Sequence, residues 1–291
     1  MSQVDDARIF DRGYRPYEGP RLGRSGAIRS LVRATAQRVM GLKRPARTKV
    51  LPFAAAIIAF VPAMVFVGVA ALIDDPEVRA NVIPTYGDYY GFIVSALILF
   101  AAFVAPEALC PDRRSGLLGL YLASPLTRDS YLAAKVAAVM GLLAVATLGP
   151  PLLMLMAFVL QGLGPDGPLE VLKLLVQMVA AGALIAGVYA AVSLGLSSLT
   201  DRKSFAAGAV LLLLLVTGAT TGALVNGVGA PEWVFAFNLA ASPFELVQRI
   251  YGGVGELVET PTAVLVAVNL GWIVLGFGVM WWRYRRLVVT R

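Results

Sequence analysis

Histidine is absent from the chain, and cysteine occurs once, at Cys110. Without histidine, Ser–His–Asp and Cys–His nucleophilic catalysis and histidine-ligated metal sites are excluded. One cysteine excludes an intrachain disulfide. Charge is scarce too: 15% of the 291 residues are Asp, Glu, Lys or Arg, against about 25% in soluble domains. Lysine stands only at Lys43, Lys49, Lys135, Lys173 and Lys203. A phosphate-binding loop needs G-x-x-x-x-G-K-[ST]. Only Lys203 is followed by Ser or Thr, and Arg202 occupies the place of the glycine. The chain carries no nucleotide site of that kind. Its polar start, MSQVDDARIFDRGYRPYEGPRLGR, lacks an apolar core, so no secretory signal peptide is expected there.

What the chain does have is apolar residues, 58% of the total. They fall in six long runs, approximately 50–73, 89–109, 132–160, 171–199, 204–225 and 262–282. Each reaches the roughly 20 residues that a helix needs to cross a bilayer. The expected class is an all-α integral membrane protein with six transmembrane helices. The tandem Pro150-Pro151 predicts a kink in the third span. The span middles hold no Asp, Glu, Lys or Arg; Glu107, Lys135, Lys173 and Asp201 sit at ends. This argues against an ion-coupled carrier, which uses an intramembrane ionisable group, and against an Arg-ladder voltage sensor.

Around the spans, residues 1–25 read as a polar cytosolic arm and residues 26–49 as an amphipathic helix. Ile28, Leu31, Val32, Thr35, Val39 and Leu42 form its apolar stripe, opposite Arg29, Arg33, Gln37 and Arg44. Such a helix ahead of a span lies in the lipid interface, or else packs on the protein's own cytosolic side. Residues 50–282 form one six-span membrane domain. It includes a cytosolic loop over 110–131 and an outer loop over 226–261. In the outer loop, Ser242 as N-cap, Pro243 at the first position and Glu245 predict a short helix with Phe244, Val247 and Tyr251 on its apolar face, stopped by Gly252-Gly253. Trp281-Trp282 suit an interfacial anchor. The basic tail covers 283–291.

Twelve Lys and Arg precede the first span, four lie around the 110–131 loop, two at Arg202-Lys203 and four in the tail. That places 22 of 25 on one side, leaving Arg79, Lys173 and Arg249 on the other. The positive-inside rule then predicts that both termini are cytosolic. The net charge of +7 is thereby topology rather than nucleic-acid affinity.

The stretch Cys110 to Lys135, CPDRRSGLLGLYLASPLTRDSYLAAK, is too short and charged to span, yet too apolar for a plain loop. Asp112 suits a helix cap. Arg113 and Arg114 sit unfavourably at a helix start, where a partner carboxylate would compensate. Leu118, Tyr121 and Leu122 share one face, Pro125 ends the helix, and Arg128 begins the return. Read from the residues alone, this is either a docking face or a set of positive-inside anchors resting on lipid. Glu107 suits an ion pair with Arg33 or Arg38, or with Arg113 or Arg114, or solvation at a helix end. In the fifth span, Thr217, Gly218, Thr220, Thr221 and Gly222 form a small polar patch containing G-x-x-x-G, suited to close helix contact, between subunits or within one.

The pattern D-R-R-S-G-x-L-x-L-Y-L-x-S-P-L-T-R-x-x-Y-L-x-x-K, at Asp112 to Lys135, resembles the first cytosolic loop of ABC-2 type transporter permeases. It is most similar to the branch associated with multi-copper enzyme maturation, related to nitrous-oxide-reductase accessory permeases. The resemblance covers the chain from about Gly26 onward, and the arm at Ile9 to Arg24 is similar to an extension of actinobacterial members. It implies an ABC-2 (type V exporter-like) fold, with a cytosolic coupling helix between spans 2 and 3 and a short outer helix before span 6. It implies a permease in a bacterial cell membrane, paired with a second permease copy or paralogue and with separate ABC ATPase subunits. ATP and Mg would reside on those ATPases, with no cofactor in this chain. The coupling residues would be Asp112, Arg113, Arg114, Leu118, Tyr121, Leu122, Pro125 and Arg128, and the fifth-span patch would lie near the dimer axis and translocation path. The expected function is ATP-driven alternating access, outward, for a substrate the sequence does not name; the chain is no enzyme by itself. The alternatives are a membrane maturation factor or enzyme acting on lipid or a secreted metalloprotein, and a scaffold or sensor without transport.

Overall fold

A computed structural model describes residue 19 and residues 22–42 and 44–287. Most of the expected 1–25 arm, and residues 288–291 of the expected tail, lie outside them. Among the described residues every regular element is helical. Six stretches are long and apolar enough to cross a membrane: Val50–Leu72, Val94–Arg114, Arg128–Leu160, Pro168–Ser197, Lys203–Gly227 and Thr262–Arg286. The first helix, α1 (Gly23–Val39), precedes span 1, which is α2 (Val50–Leu72).

Two short helices follow at the end away from α1, neither expected from the apolar pattern. Asp75 caps α3 (Pro76–Val82), accepting from the amides of Glu77 and Val78, with Pro76 in the first turn. Thr85 caps α4 (Tyr86–Phe92) in a reciprocal capping box with Asp88. Thr85 and, at 2.9 Å, Gln248 donate to the Asp88 carboxylate. The Thr85 hydrogen bond, with burial opposing it and Gln248 assisting, holds that carboxyl below its ordinary value.

Span 2 is not one continuous α-helix. It runs through α5 (Val94–Leu99), a π segment (Phe100–Val104), a 3-10 turn (Ala105–Ala108) and α6 (Cys110–Arg114). Pro106 and Pro111 supply no amide to the ladder. The Ser193 hydroxyl donates to the Ala101 carbonyl at 2.5 Å, giving the π segment a partner from outside its own helix. After α7 (Leu118–Leu122), span 3 is α8 (Arg128–Leu160). Pro150 and Pro151 lie inside α8, which runs on as one 33-residue element. Spans 4 and 5 are α9 (Pro168–Ser197) and α10 (Lys203–Gly222), the latter continued by a π segment over Ala223–Gly227. The outer helix α11 (Ser242–Ile250) precedes span 6, α12 (Thr262–Arg286).

The core sits around α9, which is buried almost continuously from Ala181 to Ser197. Its backbone meets that of α12 with no side chain between. A Cβ at Gly195 would lie 2.8 Å from the Gly276 carbonyl oxygen, and one at Gly276 would run into the Ala191 carbonyl. Small residues permitting backbone approach are the standard means of packing helices in lipid. The expected patch on α10 packs within the chain at one part of it, where a Cβ at Gly218 would lie 3.6 Å from Asn238, Thr217 accepts from the Leu239 amide at 3.4 Å and Thr221 is buried, but it brings no second helix backbone so close. A Cβ at Gly222 meets nothing within 4 Å, and Thr217, Thr220 and Thr221 return their hydroxyls to carbonyls three and four residues back.

Of the two readings of the α1 stripe, packing on the protein itself describes its centre: Leu31, Thr35 and Val39 are buried, Leu31 and Val39 in the same core as Tyr131 and Leu132 of α8, while Leu42 is exposed. One expectation is corrected. Ser242 is not an N-cap. It is buried at the start of α11 and accepts from Asn269 of α12 at 2.9 Å. Glu245 instead receives the amides of Glu256 and Leu257. Gly252, at φ +88°, does follow the end of the helix.

Replacing Gly276 by Val should separate α9 from α12 and lower the thermal midpoint of the purified protein, at an overpacking cost of about 1–3 kcal/mol. Gly278→Ala, where a Cβ meets nothing within 4 Å, should leave it unchanged. At the outer end, the Asp88 contribution is present above the ordinary carboxylate pKa. It should vanish as pH falls through the depressed value, and Asp88→Asn should abolish that part of the acid dependence of melting.

Candidate functional site

The segment from Glu107 to Arg128 holds the candidate site, because its charged side chains turn inward and take hold of other elements. Asp112 is 1% exposed. Its carboxylate pairs with Arg38 of α1, with Lys135 Nζ of α8 at 2.6 Å, and accepts from the Tyr131 hydroxyl at 2.9 Å. Lys135 is fully buried, its ammonium 5.3 Å and 5.7 Å from the ring centres of Tyr131 and Tyr121. Burial works against the Arg38 charge, but the attraction and hydrogen bond of Asp112, assisted by Tyr121, raise its pKa above the ordinary value. Asp112 therefore does not cap a helix; three donors from two other helices claim it.

Glu107, 7% exposed, is paired with Arg44 and with Lys203. The expected partners Arg33 and Arg38 are elsewhere: Arg38 is taken by Asp112, and Arg33 lies exposed on α1. Arg44 stands just before span 1 and Lys203 opens span 5, so one carboxylate joins the feet of two spans.

The arginines of the segment grip helix ends. Arg113 donates to the carbonyls of Ser198 and, at 3.2 Å, Thr200, just beyond the C-terminus of α9. Arg128 donates to the carbonyls of Tyr284, at 3.3 Å, and Arg285, at 2.7 Å, in the last turn of α12. A cation at a helix C-terminus satisfies orphan carbonyls and opposes the negative end of the dipole. Spans 1, 3, 4 and 5 are thus each tied at the basic end to the last turns of span 2, and span 6 to the first residue of span 3.

Between Glu107 and Arg128 the chain forms α6 and α7, joined through Gly116 at φ +65°. Leu118 is buried, and Tyr121 and Leu122 are half-buried against the chain's own core, Tyr121 stacking 5.5 Å from Tyr131. The apolar side chain turned outward is Leu120, 70% exposed. Arg114 and Pro125 are exposed too. A shared helical face had identified which residues travel together, not which way they look. Of the residues missed, Lys135 had left a signal: a cation two turns inside an apolar helix calls for a buried counter-ion.

Breaking the central pair tests this arrangement. Asp112→Asn leaves Lys135 buried without its counter-charge and should lower stability by about 3–5 kcal/mol, read as a fall in the thermal midpoint. Combining it with Lys135→Met should recover a large part of the loss.

Among the described residues no cluster of three or more Cys, Asp or Glu suits a metal ion. No curated protein matches the chain. The family model described as ABC-2 family transporter protein matches residues 72–282, from the end of span 1 through most of span 6, with the Glu107–Arg128 segment inside it. The chain belongs to the ABC-2 transporter family, whose members are multi-pass membrane components that generally work with an ABC ATPase subunit.

Proposed function

We propose that this protein is the permease subunit of an ATP-driven exporter, and that the Glu107–Arg128 segment transmits work from a separate ATPase subunit to the spans. The supporting observation is that Glu107, Asp112, Arg113 and Arg128 together hold α1 and the basic ends of five spans. A force on α7 would reach every span through ion pairs and capped helix ends. The excess of Lys and Arg at this end supports the reading that it faces the cytosol, with both termini, in a bacterial cell membrane. ATP and Mg bind the partner. The ATPase docks on Leu120, Arg114 and Pro125, the residues this segment presents outward, while Leu118, Tyr121 and Leu122 seat α7 on its own core. A second permease copy packs along α10, where Leu212, Leu215 and Thr220 are exposed. Rigid-body rocking then alternates access between the two sides.

The test is ATP hydrolysis by the purified permease–ATPase complex. Leu120→Asp should weaken docking by about 2 kcal/mol, more than tenfold in affinity, with the permease's thermal midpoint unchanged. Leu118→Asp should instead lower that midpoint, because it places a charge in the core. Unaltered assembly and hydrolysis with Leu120→Asp would refute docking at this face.

A further inference from the structure

Beside the clasp lies an open cavity of about 510 Å3, lined by the feet of span 1 and span 5 and by the π segment of span 2. Its mouth carries Arg44, Arg47 and Lys203, and its wall is apolar, with Phe103 and Leu211. Arg38 also borders it but is committed to Asp112. Of the mouth cations, Arg44 and Lys203 share the single carboxylate of Glu107, and Arg47 has no ion pair among the described residues, so the mouth keeps a net positive charge. A second cavity of about 430 Å3 shares Arg44, Glu107 and Lys203 with the first and adds Arg114 and Asp201. The groove thus runs from a charged opening to an apolar slot at the level where the spans enter the membrane. The slot has room: a Cβ at Gly208, on its wall, meets nothing within 4 Å.

We propose that this groove binds one anionic phospholipid from the leaflet at the basic end, its phosphate against Arg44, Arg47 and Lys203 and an acyl chain along Phe103 and Leu211. The charge selects the occupant. A zwitterionic lipid leaves the excess of cations uncompensated. A second copy meeting this face across a two-fold axis would bring the same cations with it. A soluble anion would leave the apolar wall unfilled. Juxtamembrane cations attract anionic lipid additively, and here they are joined to a slot for the tail. The inference concerns binding and stands whether or not the protein transports.

The experiment uses the full chain purified in maltoside micelles, titrated with dioleoylphosphatidylglycerol, dioleoylphosphatidylcholine or glycerol 3-phosphate. Lipid retention is read by native mass spectrometry and stabilisation by thermal midpoint. Phosphatidylglycerol should be retained and should raise the midpoint; the other two should not. Arg47→Gln, an exposed position, should weaken phosphatidylglycerol binding on the order of fivefold. Gly208→Leu should fill the slot and abolish the preference while leaving the lipid-free midpoint intact. Lys173→Gln, at the opposite end, should change nothing. Equal retention of the two lipids, or phosphatidylglycerol binding unaffected by both Arg47→Gln and Gly208→Leu, would overturn the proposal. So would glycerol 3-phosphate reproducing the shift, or Gly208→Leu altering the oligomeric state with lipid binding unchanged.

Discussion

The carboxylate of Asp112, held between Lys135 and Arg38 away from water, is the contact on which the arrangement of the basic end depends. Burying an ion is costly unless its partner is close and its remaining lone pairs are used. Here both oxygens are engaged, one by Arg38 and the other by Lys135 and Tyr131. The geometry is over-determined, so the junction of α1, α6 and α8 has one favourable arrangement. In a chain whose helices otherwise cohere through apolar packing, this junction supplies register. α1 is placed by it twice, by Arg38 on Asp112 and by the Leu31–Val39 stripe in the core.

Around that fixed point the other charged contacts have graded exposure. Glu107 is buried, but its partners Arg44 and Lys203 are partly exposed, so water and salt reach them. The Arg113 and Arg128 contacts go to backbone carbonyls, whose positions follow the helices to which they belong. The centre of the segment is therefore rigid, while its contacts to spans 1 and 5 are open to screening. Those two spans border the groove, so the most adjustable pairs lie beside it.

The six spans were legible because length and apolar content decide them, and the basic end because Lys and Arg collect there. The α11 helix was legible in its extent, through Gly252, but not in its chemistry. Ser242 carries a cap signature yet is buried, and there Asn269 claims its hydroxyl. α3 and α4 carried proper start signals, Asp75-Pro76 and Thr85 with Asp88, but their few apolar residues hid them among turn residues. Span 2 was legible as a run but not in its π and 3-10 breaks, because its composition alone reads as continuous. Within the site, Asp112 was singled out for the wrong local reason, since capping is decided by neighbours and burial by the whole fold. The partners of Glu107 could not be read at all: Arg44 and Lys203 meet it only once spans 1, 2 and 5 are packed.

The glycine contact between α9 and α12 has a mechanical side. Two helices whose backbones touch cannot roll or slide past one another without a clash, so they behave as a single beam. Arg113, at the end of span 2, and Arg128, at the start of span 3, hold that beam at the ends of its two members. At 25 residues, α12 is about 37 Å long, and it reaches from Arg128's grip to the outer helix that Asn269 holds through Ser242. A small rotation at the gripped end becomes a larger sweep at the far one. If the protein moves as proposed, the beam would be a lever arm, carrying a displacement of a few residues at the basic end to α11 at the other.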